Sequence, residues 1–321
     1  PPHGVREPIP MPLRRVGCKA TRDVPLPYNR LVKVPTAWIN ADLHCHSCVS
    51  DGTLTPEALA QRAKANGVEL WALTDHDEVG GQRRASDAAE AVGLPYLPGV
   101  EISVTFAGLT VHIVGLGIDP ENAALIKGLA DTRDGRIARA HEMADGLAKV
   151  GIRDAFEGAL CYAGNPELIA RTHFARYLVE TGVCASTHEV FRKYLVEGKP
   201  GFVEHRWASL GNAVKWITQA GGIAVIAHPG RYKFSVNAEY ALFTEFKGHG
   251  GRGVEVVTGS HTSADYDKYA TLAIEFDLLA SRGSDFHSPE ESRTDLGTLA
   301  ALPARLTPVW EALAERVLLP A

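Results

Sequence analysis

No stretch of the 321-residue sequence is apolar for long enough to cross a bilayer, a span that takes about 20 residues. The first residues lack the charged-then-apolar layout of a secretory leader. No membrane partner is therefore expected, and the expected compartment is the cytoplasm. An excess of positive charge is also missing, since 33 Lys and Arg face 38 Asp and Glu for a net charge of -5. That balance argues against a surface built to hold nucleic acid non-specifically, and no stable nucleic-acid complex is expected. It does not exclude an anionic substrate, because bound divalent cations reverse the local sign. Cysteine is sparse and odd in number (Cys18, Cys45, Cys48, Cys161 and Cys184), with no disulfide framework. Cys45 and Cys48 form a C-x-x-C, but no second pair has zinc-finger spacing, so the thiols read as small buried hydrophobes in a reducing compartment.

What is present is an ordinary globular composition, 45% apolar and 22% charged, in a chain long enough for one large α/β domain. Residues 1–37 stand apart as a proline-rich arm holding eight of the 19 prolines, with His3 and Cys18 as bystanders. From Trp38 onward, short apolar runs end abruptly in polar residues and give way to helix-period segments. The expected strands are 38–43, 69–74, 96–104, 110–117, 223–227, 254–257 and 278–282. Helices are expected over 56–66, 80–92, 210–220 and 264–276, the first with Thr55 as N-cap and Pro56 in its opening turn. Such alternation implies a parallel sheet covered by helices, either a barrel or an open sheet. Between 119 and 200 it stops, and segments 122–150, 166–182 and 186–195 look helical. The expected organisation is thus a main domain in two parts, 38–118 and 201–321, around a helical insertion at 119–200.

The polar residues that end these runs carry the chemistry. The first run ends in Asp42-Leu43-His44-Cys45-His46, with Asp51 close behind, and alternation in an extended chain points His44 and His46 the same way. The second ends in Thr74-Asp75-His76-Asp77. The third buries Glu101 in an apolar run, where an unpaired carboxylate is costly and needs a cation or several donors. His112 sits between Val111 and Ile113; taken alone, a histidine there is more often a satisfied core residue. His228 follows the run 223–226 with Arg231 just beyond, and Asp285 and His287 follow the last strand. Strand ends of parallel α/β folds share one face of the domain, so these side chains are expected to converge on a metal site. Mixed imidazole and carboxylate ligands suit Mn²⁺, Zn²⁺ or Fe²⁺ better than Mg²⁺ or Ca²⁺. Paired ions of this kind are the usual apparatus for cleaving phosphate esters.

In this order, His44-x-His46 with Ser50-Asp51-Gly52, Thr74-Asp75-His76, Glu101, His228-Pro229 and Ser284-Asp285-x-His287 resemble the PHP (polymerase and histidinol phosphatase) family over about 38–289. The resemblance implies a distorted seven-stranded (β/α) barrel. Further likeness is to the small members that remove the 3′-phosphate from nucleoside 3′,5′-bisphosphates, a group that includes 5′→3′ exoribonucleases. It rests on Thr110–Leu116, Arg171-Thr172-His173, Lys193-Tyr194-Leu195, Gly198-Lys199-Pro200, Gly259-Ser260-His261 and a helical insertion at the same point.

Carried over residue by residue, the resemblance implies one ion held by His44, His46, Glu101 and Asp285. A second shares Glu101 and adds His112 and His228, and a third uses Asp51, His76 and His287. Mn²⁺ is the favoured ion, with Zn²⁺ or Fe²⁺ as alternatives. The reacting water is expected among Glu101, His44, His46 and Asp285, with Asp75 and His261 orienting ligands from behind. Arg133, Arg136 and Arg139 recur at helical spacing and read as one basic edge, for which a solvated face is the plainer explanation. Arg171, His173 and Lys199, with Arg136 and Arg231 as further candidates, are the expected phosphate contacts. The expected substrate is a small nucleotide bisphosphate, or alternatively a short 5′-phosphorylated RNA. A histidinol-phosphate-type phosphatase fits the insertion less well, and a non-catalytic module would be expected to have lost ligands.

Overall fold

The computed structural model describes residues 40–205 and 207–321. The arm at 1–37, with His3 and Cys18, and the start of the first expected strand at Trp38 lie outside the described residues.

Strands and helices alternate through the first and last parts of the chain. β1 (Ala41–Asp42) is followed by α1 (Pro56–Ala65), where the Thr55 side chain accepts the Ala58 N–H and Pro56 opens the first turn. Then come β2 (Leu70–Trp71), α2 (Gln82–Ala91), β3 (Gly99–Phe106) and β4 (Leu109–Leu116). Five helices follow without an intervening strand: α3 (Ala123–Arg133), α4 (Arg136–Ala148), α5 (Ala155–Leu160), α6 (Arg171–Glu180) and α7 (Thr187–Val190), which runs into a π turn at Phe191–Leu195. Alternation resumes with α8 (Leu210–Gln219), β5 (Ile223–Ile226), α9 (Val236–Gly248), β6 (Gly253–Thr258), α10 (Ser263–Glu275) and β7 (Leu279–Gly283). The fold is mixed α/β.

β1 and β2 pair in parallel, and β3-β4-β5-β6-β7 form a second sheet. The two are joined at both edges. Single bridges Trp71–Tyr96 and His76–Glu101 link the β2 side to β3. Across the other edge Leu43 N–H donates to Arg282 O at 3.0 Å, and Asp285 N–H donates to His44 O at 2.8 Å.

The expectation of an all-parallel sheet fails at β4, which runs antiparallel to both β3 and β5. Its connection to β3 is only Ala107-Gly108, both left-handed at φ 47° and 77°. Two such residues make the turn that a twisted hairpin prefers, whereas a parallel crossover needs about a dozen. Segment 122–150 is likewise two helices rather than one, broken where Gly135 takes φ 88°. Arg133 therefore ends one helix and Arg136 begins the next, so the expected basic edge does not exist. Helix α9 has no counterpart among the expected helices; it buries Leu242, Phe243 and Phe246 against the sheet.

The main core packs Val100, Ile102, Ile113, Ile226 and Val254 against α8 and α9, and α3 joins it through Leu125 and Leu129. Helices α4 to α7 share a separate cluster around Met143, Leu147, Phe174, Leu178 and Val190. At the seam between β7 and β1, a Cβ on Gly283 would stand 2.3 Å from His44 Cβ. Gly283→Ala should therefore cost about 1–3 kcal/mol of stability as an overpacked site. Denaturant unfolding in chelator measures this, and an unchanged midpoint would mean that the seam yields more than its backbone spacing allows.

Candidate metal centre

The segments leaving β1, β2, β5 and β7 carry the ligand-type residues, and Glu101 and His112 come from within the β3–β4 hairpin. Past β1, alternation sends Cys45 into the core, where its sulfur accepts the Trp71 indole N–H at 3.2 Å, and turns His44 and His46 the other way. Three residues at these exits, Asp77, His228 and Asp285, hold left-handed backbone at φ 48°, 27° and 55°. Non-glycine residues there carry strain of about 1–3 kcal/mol each, which only a well-braced surrounding sustains.

Glu101 is the hub. Its Oε1 lies 3.0 Å from His112 Nδ1, 3.0 Å from His228 Nε2 and 3.3 Å from His44 Nε2. Its Oε2 lies 2.9 Å from His76 Nδ1 and 3.3 Å from His46 Nε2. Asp285 Oδ1 approaches His46 Nε2 at 3.2 Å and His44 Nε2 at 3.5 Å. Asp51 Oδ1 is 3.4 Å from His287 Nε2 and 3.9 Å from His76 Nε2. Four overlapping groups of donor atoms result: His46, Asp51, His76 and His287; His44, His228 and Asp285; His44, His46 and Glu101; and His76, Glu101 and His112. The nine residues that the resemblance implies as ligands thus lie in one cage, with His112 reaching it from an antiparallel strand rather than from a strand end.

The electrostatics follow from the crowding. Burial favours a neutral Glu101, but the imidazoles of His112, His44 and His76 outweigh it and hold the carboxyl well below its usual range. Burial likewise opposes ionisation of Asp285, and His44 and His46 overcome it. His44 is held well above the usual imidazole range, because Glu255, Glu101 and Asp285 outweigh its burial. His76 rises to about 9 against its burial, through Glu101 and Asp51. Burial, with His287 and His76 beside it, pushes His46 down to about 3, and burial pushes His112 down to about 4.

These donors fit divalent cations. His46 Nδ1, His76 Nδ1, His112 Nδ1, Glu101 Oε2 and Asp51 Oδ1 are buried and make no hydrogen bond, although two of the nitrogens stand within 3.0 Å of Glu101. Lone pairs that converge at hydrogen-bond distance without hydrogen-bond geometry are what a cation satisfies. His44 and His46 present their Nε2 atoms to each other at 3.2 Å, the spacing of about 3.0–3.4 Å expected for two nitrogens each about 2.1 Å from one ion. His287 turns its Nδ1 to its neighbour Asp285 O at 2.9 Å, which leaves Nε2 facing Asp51.

Of the two residues expected behind the ligands, Asp75 accepts from Ser47 N, Ser47 Oγ and Ser50 Oγ at 2.6–2.7 Å, and burial raises it to about 6 despite those bonds. It organises the loop that carries Asp51. His261 accepts the Gly230 N–H at 3.0 Å and turns its other nitrogen to Val256 O, which braces the turn after His228. Asp77, Tyr232 and Glu255 were not foreseen. Asp77 accepts from Ser103 N and Oγ and pairs with Arg136. The Tyr232 hydroxyl accepts the His112 N–H at 2.8 Å and donates to Ala227 O. Glu255 contacts both His44 and His228 N–H; an acid between Val254 and Val256 was the same signal that marked Glu101.

The expected phosphate contacts divide. Arg231 pairs with Asp285 at 2.7 Å. Arg136 is buried, tied to Asp77 and stacked 4.5 Å over Trp207. Arg171 has no carboxylate partner among the described residues, and burial with Arg231 and Arg136 nearby lowers its pKa. Arg139 is also without one, and burial, Arg171 and Arg136 push it down to about 9. His173 is buried, and its Nδ1 accepts the Ala170 N–H at 3.0 Å. Lys199 stays exposed in the turn after Leu195, and no contact joins it to the cage among the described residues.

A raised imidazole stabilises the fold fully below its unfolded value of 6.5 and stops doing so as pH climbs through the folded value, about 9 for His76. The chelated protein should therefore lose thermal stability between these two pH values. The increment added by Mn²⁺ or Zn²⁺ should grow over the same window, because ligation needs neutral imidazoles. Thermal scans with EDTA and with metal test this, and a flat chelated profile would contradict the carboxylate-held imidazoles.

Residues 42–215 match the family description "PHP domain". The chain is 50% identical over 282 residues to a 3′,5′-nucleoside bisphosphate phosphatase of Chromobacterium violaceum, covering 88% of this chain and 99% of that one. It is 40% identical over 272 residues to a 5′-3′ exoribonuclease of Escherichia coli, covering 84% and 92%. A solved structure of an amidohydrolase from Chromobacterium violaceum, with bound sulfate and no metal, superposes with a TM-score of 0.86 at 50% identity over 88% of this chain and 98% of that one. With the family description matching over half of its length and a 50% identical relative covered almost end to end, the chain belongs to the PHP family.

Proposed function

We propose that the protein is a metal-dependent phosphoesterase that hydrolyses the 3′-phosphate of nucleoside 3′,5′-bisphosphates, giving a 5′-nucleotide and phosphate. The observation that carries this reading is a set of unsatisfied donors beside the cage. His173 accepts at Nδ1, so its proton sits on Nε2, and that buried N–H makes no well-aligned hydrogen bond, with only the Ser50 carbonyl beside it. Thr172, its neighbour at the start of α6, donates to Asp51 Oδ2 at 2.9 Å, which sets this helix end against the cage. Arg171 adds a guanidinium without a carboxylate. An orphaned N–H and an unpaired guanidinium beside clustered metal ligands suit an anion carrying a second phosphate. The likeness to a bisphosphate phosphatase and the sulfate held by a related structure support the same choice.

In this reading one ion takes His44, His46, Glu101 and Asp285, a second takes Glu101, His112 and His228, and a third takes Asp51, His76 and His287, with Mn²⁺ favoured. Bound divalent ions would lower the pKa of a coordinated water to about 7 and polarise the phosphoryl oxygens. The protein's own part is to orient and to balance charge. Glu101 keeps five imidazoles aimed inward, Arg231 balances Asp285, and Arg171 with the His173 Nε2–H holds the phosphate that is not cleaved. The seven strands act as a distorted barrel, and 119–200 is an insertion that supplies the phosphate contacts; Arg136 serves there by holding Asp77. A second reading, a 5′→3′ exoribonuclease using the same centre on short 5′-phosphorylated RNA, is favoured by the 40% identity to such an enzyme.

Phosphate release from adenosine 3′,5′-bisphosphate, 3′-AMP and 5′-AMP, beside cleavage of a 5′-phosphorylated oligoribonucleotide, separates these readings. The bisphosphate should be the best substrate; faster turnover of the oligonucleotide would promote the nuclease, and equal turnover of 3′-AMP would remove the second-phosphate clamp. Arg171→Ala should raise KM for the bisphosphate roughly 10- to 100-fold, the worth of one charged hydrogen bond, with metal content unchanged. Loss of metal in that variant would mean that Arg171 supports the cage instead.

A further inference from the structure

Glu255 is fully buried in β6, and its two oxygens serve different residues of the cage. Oε1 lies 2.8 Å from His44 Nδ1, and Oε2 accepts the His228 backbone N–H at 2.7 Å. The first contact fixes a tautomer. A carboxylate only accepts, so His44 keeps a proton on Nδ1, and in the neutral ring that ligation requires the Nε2 lone pair faces Glu101, Asp285 and His46. The second contact fixes a backbone. His228 holds φ 27°, and the Glu255 oxygen is the acceptor for its N–H in that strained turn. The pairing of β6 with β7 shifts register between Glu255 and Val257. Irregularities of this kind re-aim a side chain next to a functional site. Here the displaced Val256 carbonyl also meets His261, which braces the same turn from its other side.

We propose that Glu255 is a positioning residue that couples two ion sites: one carboxylate orients a ligand of the first ion and anchors the backbone of a ligand of the second, so neither site is set independently. The proposal rests on the metal-centre reading above. It predicts a specific weakness in the amide variant. Two donors face residue 255, and a carboxamide offers a single acceptor oxygen and an N–H₂, so in Glu255→Gln one donor loses its acceptor. If the amide nitrogen faces His44, the ring must reverse its tautomer and place a proton on Nε2, which blocks ligation at that atom.

The test uses the full chain loaded with Zn²⁺, which is diamagnetic. Long-range ¹H–¹⁵N correlation should show wild-type His44 metallated at Nε2 with a hydrogen-bonded proton on Nδ1. In Glu255→Gln that proton signal should be lost or moved upfield, and Zn²⁺ affinity by chelator competition should fall about 10–100-fold, as for other partners of metal-bound histidine. Turnover should fall with KM for the bisphosphate nearly unchanged. A variant that keeps wild-type Zn²⁺ affinity and the wild-type His44 signal would overturn the proposal. Should the variant not fold, the wild-type spectrum still decides, because Zn²⁺ bound to His44 through Nδ1 would overturn it as well. Wild-type protein that takes up no Zn²⁺ would overturn the metal reading first, which separates that failure from this one.

Discussion

Everything around the centre is arranged to keep one buried carboxylate ionised. Glu101 has no water to solvate it, and an uncompensated charge at such depth costs several kcal/mol. Five imidazoles from four different chain segments meet its two oxygens within 3.3 Å. Three of the cage histidines are themselves held from farther out: His44 by Glu255, His228 by Glu255 and Tyr232, and His287 by the Asp285 carbonyl. The polar interior is a chain of dependencies that starts at one acid and ends in backbone groups. Cations joining this cage would replace imidazolium charge with their own.

The helices between β4 and α8 are fastened to this centre by side chains and not only by chain connectivity. Arg136, at the start of α4, pairs with Asp77 one residue beyond His76. Thr172, at the start of α6, donates to Asp51. Farther along α6, Arg176 makes a two-pronged pair with Glu291 at 2.7 and 2.9 Å, in the segment that follows His287. Each fastening lands on a loop that carries one of Asp51, His76 and His287. The donors of that one group therefore depend on the helical part of the chain, whereas the contacts that brace His44 and His228 come from β6 and from the segments that follow β5 and β6.

How much of this could be read from the residues alone depended on how local the signal was. Strand exits with His-x-His or Asp-x-His announce themselves, because alternation puts both side chains on one face whatever the rest of the fold does. Glu101 was legible because an acid inside an apolar run demands a partner, and Glu255 carries the same mark in a shorter run; its role was missed because its partners lie 27 and 211 residues away. The direction of β4 was not legible from periodicity, since a buried hairpin strand and a buried parallel strand look alike as apolar runs, and the two-residue turn was the clue. The arginines at 133, 136 and 139 misled because helical spacing was assumed across Gly135. A residue at φ 88° breaks the period, and the side chains turn inward to Asp77, Glu78 and Trp207.

The hairpin that brings His112 to the cage has an implication for how this protein can vary. In the ladder, Ser103 sits opposite His112 and Glu101 opposite Val114, with only Ala107-Gly108 at the tip. Side chains alternate faces along a strand, so a one-residue insertion or deletion between Glu101 and His112 that slid the pairing would turn the imidazole away from the acid it faces. Length drift, tolerated in most surface loops, is therefore confined here to paired changes that preserve parity, or to segments outside the stretch from 101 to 112. The tip of this hairpin is solvent-facing in position yet as constrained in length as the buried strands it joins.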